Sequence, residues 1–598
     1  MTTTTANTQP ASTQTASTQT ASTQPASTQP ASTQLERGAT LDSAHVGDIR
    51  GALGTIAHDD TATRNSASAK LKTLLAIVGP GLIVMVGDND AGAFSTYGQA
   101  GQDYGTRLLW TFVLLIPVLY VNQEMVLRLG AVTGVGHARL ILERFGRFWG
   151  AFSVIDLFIL NALTIVTEFI GITLAAGYLG VPKIVAVALA GMVIIAAAFT
   201  GSFRRFERIA IAFCAGSVLL IPLYLLSHPA PSQMARGFFS PSIPGGSGQL
   251  ATVMLLIIGI VGTTVAPWQL FFQQSYVIDK RITPRFMRYE KADLVIGIAI
   301  VIVGGAAIMG AMTAAFAGTA GHGHFTDAAG LAAGLAAHAG KAAGALFAVA
   351  LLDASMIGAF AVSLSTAYAI GDVLGLKHSL HRGFKQAKGF YAMYAALVGC
   401  AAIIVLIPGS PLGLLTEGVQ VLAGVLLPSA TVFLLLLCND KAVLGPWVNG
   451  RGTNAFTAAV ITLLITLSVI LTASVLFPHI SAGQIKAIMI GCAAVALAAG
   501  GCLLLRSRLR SRPAIAGPDG AGPDGAGPDG AGPDGAAPGA GQAVDRSGRD
   551  SWRMPRLAVL AVPPISAARK LGLTALRAYL AVAMILVIVK IAEVALAR

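Results

Sequence analysis

Gly87-Asp88-Asn89-Asp90-Ala91-Gly92-Ala93 lies inside the apolar run 72–99, and its reading decides the fold. Glycines flank two carboxylates at a depth where an acidic side chain costs about 2.5–3.5 kcal/mol on insertion scales. A function is the usual reason to tolerate such a cost. A second interruption falls five apolar runs later, in 250–277, where Gly259, Gly262, Thr263 and Thr264 precede Ala266-Pro267-Trp268-Gln269. Backbone outside a helix survives in a membrane only where it is buried in protein or lines a wet cavity. Broken spans in corresponding positions of two halves predict two inverted five-helix repeats, whose breaks meet near the bilayer midplane and build the substrate site. Carbonyls freed there, beside Asp88 and Asp90, make an oxygen-rich place for a cation. Asn89 and Gly92 share the first break, and Pro267, Trp268 and Gln269 the second, so all five are pathway candidates. Either aspartate can instead cap a half-helix N-terminus or pair with a distant arginine.

Outside the two breaks the chain is as apolar as they require. Of 598 residues, 54% are hydrophobic and 12% charged, and the mean hydropathy is +0.70. Soluble domains carry roughly 25% charged residues. Runs long enough to cross about 30 Å of hydrocarbon fall at 72–99, 107–129, 151–178, 182–200, 207–227, 250–277, 292–317, 342–373, 389–408, 413–438, 455–477 and 483–505, with a further run at 573–595. The expected units are a disordered cytoplasmic tail (1–70), a polytopic transport domain of about 12 spans (71–506), a Gly/Pro-rich linker (507–572) and an additional C-terminal transmembrane helix (573–598). The tail opens with repeats of Ala-Ser-Thr-Gln-Thr/Pro and has too little apolar content to offset the entropy of ordering it. No basic stretch followed by an apolar one marks a cleavable signal peptide there.

Charge then orients the spans. The net charge of +13 sits in short clusters between apolar runs, such as Arg204/Arg205/Arg208 and Lys377/Arg382/Lys385/Lys388. They form no single stripe, so a nucleic-acid partner is not expected. The clusters recur in alternate loops, as the positive-inside rule requires of a chain with a cytoplasmic N-terminus in the cell inner membrane. The five cysteines lie scattered in apolar runs without metal or redox spacing and read as small fillers.

Several motifs, in order and spacing, resemble the Nramp family of divalent metal transporters over roughly 71–450. They are Gly79-Pro80-Gly81, Asp90-x-Gly92, Tyr104-Gly105, Leu109-Trp110, Arg128-Leu129-Gly130, Val132-Thr133-Gly134, Glu168-x-x-Gly171, Thr264-Val265-x-Pro267 and Asn439-Asp440-Lys441 to Asn449. The resemblance implies an all-α membrane protein of the LeuT-type 5+5 inverted repeat, with extra C-terminal helices. It also implies an ion held by an aspartate and an asparagine of the first span with a carbonyl and a methionine sulfur of the sixth. Asp90 matches the aspartate and Thr263 the carbonyl, but Ala93 and Ala266 stand where the asparagine and methionine belong. A thioether favours soft metals over abundant hard ones, so that filter is absent. Trp268 and Gln273 replace two histidines, and Ile165 an acidic residue, that serve proton transfer in the family. The combination resembles the family's magnesium-transporting branch, in which a roomier site takes a cation still carrying water, as reluctantly dehydrated magnesium demands.

Other residues carry two readings each. Glu168 either faces the pathway or pairs with a neighbouring helix. Gln269 and Gln273 share a helix face and either hold hydration water or bond between helices. Glu124 and Arg128 read as a helix-surface pair, and Asp293 and Asp353 as pathway candidates. His322, His324, Asp327 and His338 share an outer loop with nothing to fix a coordination geometry. A passive cation channel and an organic-solute transporter of the same plan remain rivals. No enzyme is expected, since no catalytic or phosphate-cradling motif falls at membrane depth. No cofactor is expected either, the metal cation being cargo and the bilayer the other partner.

Overall fold

The computed structural model describes residues 42–244, 250–409, 412–477, 480–510, 549 and 552–560, with isolated positions between 572 and 585. The sequence repeats of the tail, most of the Gly/Pro-rich stretch and most of the run 573–595 lie outside them. The described chain is almost entirely helix. The first span is in three pieces: α1 (Ala67–Ile77), α2 (Pro80–Val86) and α3 (Ala91–Tyr104). Ser66 caps α1 by accepting from the Ala69 N–H, and Pro80 opens α2 where an N–H has no helical partner in any case. Between them Gly79 sits at φ 155°, and the two helices bend by 55°.

After α3 come α4 (Trp110–Thr133), α5 (His137–Phe145), α6 (Arg147–Tyr178) and α7 (Lys183–Ala198). The fifth span joins α8 (Phe203–Cys214) to α9 (Leu220–Ser227) through a 3-10 stretch, and α10 (Pro231–Phe239) follows it. The sixth is α11 (Leu250–Thr264) and α12 (Pro267–Asp279), again broken. Then follow α13 (Met287–Phe316), α14 (Ala328–His338), α15 (Lys341–Leu374), α16 (Lys388–Val405), α17 (Leu412–Cys438), α18 (Lys441–Leu444), α19 (Arg451–Leu476) and α20 (Ala482–Arg510). Among the described residues ten helices are long and apolar enough to cross a membrane, the bent pair α1 and α2 makes an eleventh, and α7 is a shorter apolar helix. A second shorter apolar helix is α14. The two broken spans pack into one core through α13 against α2 and α3, α11 against α17, and α6 against α15.

The basic loops gather on one face. Arg144 pairs with Asp440 at 2.7 Å, and Arg128 donates to the Trp447 carbonyl and to Asn449 Oδ1 at 2.6 Å. Arg128 is buried and its partner Glu124 also meets Lys291 at 2.8 Å. The expected helix-surface pair is therefore an interior pin that fastens the loop 439–449 to α4.

Residues 42–66, expected to belong to the disordered tail, are ordered on the same face. A hairpin pairs Ile49 with Ile56 and Arg50 with Thr55. Its order comes from side chains elsewhere: Arg204 donates to the Gly51 and Gly54 carbonyls, Arg208 to that of Ala52, and Arg281 to those of Ala44 and Asp48. Arg382 pairs with Asp42. A Cβ at Gly51 would lie 2.1 Å from the Ala76 carbonyl oxygen, so only glycine allows this approach to α1. His45 lies 3.5 Å from Asp279, and burial pushes its imidazole below the ordinary value despite that carboxylate. His378 goes the other way: burial opposes its charge, but Asp372 at 2.9 Å outweighs this and raises it to about 9.

Candidate functional site: two helix breaks and their carboxyls

Asp90 begins α3 as its N-cap, with Oδ1 accepting from the Ala93 N–H at 2.9 Å. A short polar side chain at this position satisfies a donor that the helix leaves orphaned. The capping alternative is thus realised, without excluding a second role. On its other side the Asp90 carboxyl faces that of Glu168 on α6. Glu168 Oε2 accepts from the Ala91 N–H at 3.2 Å, and Oε1 has no partner. Gly171 allows the approach, since a Cβ there would stand 2.6 Å from that of Ala91. Two carboxyls in contact away from water cannot both stay ionised unaided, so they share either a proton or a divalent cation.

Asp88 lies fully buried within the break, with no close hydrogen-bond partner for either carboxylate oxygen. Its neighbour from the sixth span is Gln269, which accepts from Gln123 Nε2 at 3.0 Å and donates to the Thr264 carbonyl at 3.4 Å. Gln269 therefore bonds between helices while standing beside the carboxylate. The Tyr97 and Thr264 hydroxyls, 2.7 Å apart, join α3 to α11 across the gap. The Thr263 hydroxyl is buried and unpartnered. Ala266 caps α12 with no side-chain bond, and Pro267 is the first residue of that helix. Ala93, Gly92 and Ala266 are buried.

Three candidates point elsewhere. Asn89 donates to the Val301 carbonyl on α13, so it braces the break from outside. The Trp268 ring lies edge-on to Phe272, with its far edge 3.5 Å from where a Gly87 Cβ would be; it packs as a wall. Gln273 stands beside Glu290, away from Asp90. Asp293 is no free pathway group, because its oxygens accept from the N–H groups of Gly79, Gly81 and Leu82 at 2.7–3.2 Å. Asp327 caps α14. No group of three or more His, Cys, Asp or Glu side chains that could hold a metal occurs among the described residues, the histidine-bearing outer loop included.

One residue of the site escaped the sequence reading. Gln420 of α17 fills the space between the breaks: a Gly92 Cβ would lie 1.9 Å from its Nε2, and a Gly262 Cβ 2.1 Å from its carbonyl oxygen. Its Nε2 is buried without a partner. The available signal was a glutamine inside the apolar run 413–438.

Two broken helices meeting around buried carboxyls, in a multi-pass all-α protein with the LeuT-type 5+5 inverted repeat, define a membrane transporter and not an enzyme. The family described as natural resistance-associated macrophage protein-like, Nramp, matches residues 81–474. The chain belongs to the Nramp family. The divalent metal cation transporter MntH of Ralstonia nicotianae is 31% identical over 400 residues, covering 64% of this chain and 87% of that protein. MntH 1 of Pseudomonas aeruginosa is 29% identical over 405 residues, 65% of this chain and 89% of the relative. The crystal structure of a mutant Eremococcus coleocola manganese transporter shares the fold, with a TM-score of 0.55 at 23% identity over 75% of this chain and 97% of that one.

Proposed function

We propose that this chain is a divalent metal cation transporter of the MntH type that carries magnesium, and tolerates manganese, by alternating access between its two helix breaks. The observation that carries the reading is the composition of the breaks. The charged groups in and beside them are hard carboxyls, Asp88 and Asp90 in the first break and Glu168 on α6 against it, while Ala266 and Ala93 offer neither a thioether nor an amide. Hard oxygen ligands with retained water suit magnesium, and manganese accepts similar shells. Asp90, the Thr263 carbonyl and water held by Gln269 are the ligands in this account, and the small alanines leave room for that water.

Gating is favoured over a passive pore by burial: Asp88 and Gln269 are 0% exposed, Trp268 1% and Asp90 2%, so the site opens to neither face. An ion reaching it needs a conformational change, which a conducting pore does not. The basic face, with the N-terminal hairpin, is the cytoplasmic one on this reading.

The test is uptake into proteoliposomes with magnesium, manganese and calcium in competition and a pH-sensitive dye inside. Saturable magnesium uptake that manganese inhibits, with calcium carried poorly, is the expected result. A chain that moves cadmium well and ignores millimolar magnesium is instead an ordinary transition-metal importer.

A further inference from the structure

Between the breaks and the basic face lies a second buried group of carboxyls. Glu207 of α8 and Glu290 and Asp293 of α13 are each 0% exposed, as is the one cation among them, Lys280. Two of the three carboxyls are satisfied. Glu207 pairs with Lys280 Nζ at 2.7 Å and also accepts the Ala52 N–H, and Asp293 takes the three backbone donors around Gly79. Glu290 has nothing of the kind: neither carboxylate oxygen has a hydrogen-bond partner. Beside it stands Gln273, whose side-chain amide is the polar group nearest in reach of Glu290 and makes no closer bond elsewhere.

Position adds a direction. Gln269, Gln273 and Lys280, at i, i+4 and i+11, fall on one face of α12 and its C-terminal extension. They mark a line of about 16 Å at 1.5 Å per residue, from the neighbour of Asp88 to the lysine that meets the Val78 carbonyl. A buried ionised carboxylate with no partner is strongly unfavourable, and a passing cation supplies the missing charge. A proton on Glu290 would be donated to the Gln273 oxygen, and a partly hydrated cation would use both oxygens, so manganese binding is what separates the two.

We propose that Glu290, with the Gln273 amide oxygen beside it, forms a second binding station for the divalent cation between the helix breaks and the basic face. The inference rests on the function proposed above. Manganese binding to the full chain in detergent, counted by electron paramagnetic resonance, tests it together with manganese uptake. The Asp90→Asn chain is expected to keep one weak manganese site, which adding Glu290→Gln abolishes. Glu290→Gln alone should lower the uptake rate about tenfold, the small end of what a metal-supporting group contributes, with little change in half-saturating concentration. Should Glu290→Gln not fold, Gln273→Leu probes the same station and is expected to weaken the second site by a similar factor. Manganese stoichiometry and uptake unchanged by either substitution overturn the proposal. So does a Glu290→Gln chain that loses only a proton signal, which would make Glu290 a proton carrier. Failure of the function itself looks different, because the unmodified chain then carries no divalent cation at all.

Discussion

Asparagine and alanine at position 90 separate the capping of α3 from the binding of a cation. The Asp90 Oδ1 accepts from Ala93 N–H at 2.9 Å, and asparagine can place its amide oxygen at the same point, whereas alanine removes the cap at about 1 kcal/mol. Both substitutions also remove a buried acidic group, whose insertion costs about 2.5–3.5 kcal/mol. Asp90→Asn is therefore expected to match or exceed the unmodified chain in thermal stability, with Asp90→Ala about 1 kcal/mol below Asp90→Asn. Uptake should follow a different order. Even outer partners of a metal site are worth about 10–100-fold in affinity, so loss of a hard ligand should lower uptake at least ~100-fold in both variants, or roughly 2.7 kcal/mol. Melting in detergent and ion uptake in proteoliposomes read the two quantities separately. If Asp90→Asn carries ions at near the unmodified rate while Asp90→Ala loses only what its stability explains, Asp90 is a cap and no more. The ligand would then be Asp88, whose oxygens are unpartnered.

Three further outcomes are expected. Ala93→Asn combined with Ala266→Met restores an amide and a thioether at the breaks, and competition uptake should shift toward manganese or cadmium, by about tenfold or more per restored ligand, while magnesium uptake weakens. Transport should not acidify the liposome lumen, since Trp268 and Gln273 stand where the family's proton-transferring histidines are expected; a metal-driven proton signal that Glu168→Gln eliminates would show that the carboxyl beside Asp90 has taken over the relay. His378, raised to about 9 by Asp372, gives stability that is fully present below the ordinary histidine value near 6.5 and is lost as pH rises through 9, so the melting temperature should fall between pH 7 and 10 and that decline should flatten in His378→Gln.

The breaks were legible because the features that spoil a membrane helix are local: Gly87 to Ala93 and Gly262 to Pro267 announce themselves within a few residues. Position along the chain also carried the spans, since apolar length and basic loops are one-dimensional signals. What surrounds the breaks was less legible. Asn89 and Asp90 are neighbours in sequence, yet one turns to the Val301 carbonyl and the other to Glu168, a divergence decided by which helices pack on the two sides. Gln420 comes from a span far down the chain, and only the close approach of α17 to Gly92 and Gly262 brings it between the breaks. Arg128 read as a surface residue because Glu124 lies one helical turn away, whereas its deeper partners, Trp447 and Asn449, arrive from a distant loop.

The N-terminal hairpin shows the same limit and bears on how the basic face opens. Composition predicts disorder when a segment cannot bury enough of its own apolar surface, but 42–66 is ordered by arginines of other loops reaching its backbone carbonyls. The bonds that close this face are largely of that kind: Lys280 to the Val78 carbonyl, Asp293 to the donors of Gly79, Gly81 and Leu82, and Glu207 to Ala52. Each is charge-assisted and worth roughly 1.5–3 kcal/mol net, and each can be exchanged for water once the face parts. The close packing of α6 on α15, with Glu168 against Gly358 and a buried bond from Asn161 to Thr366, rests mainly on van der Waals contact, which water does not replace. On the alternating-access reading, the hinge at Gly79 and the half-helix α1 should move first, with the hairpin carried along or released, while the α6 and α15 scaffold that holds Glu168 against Asp90 stays in place.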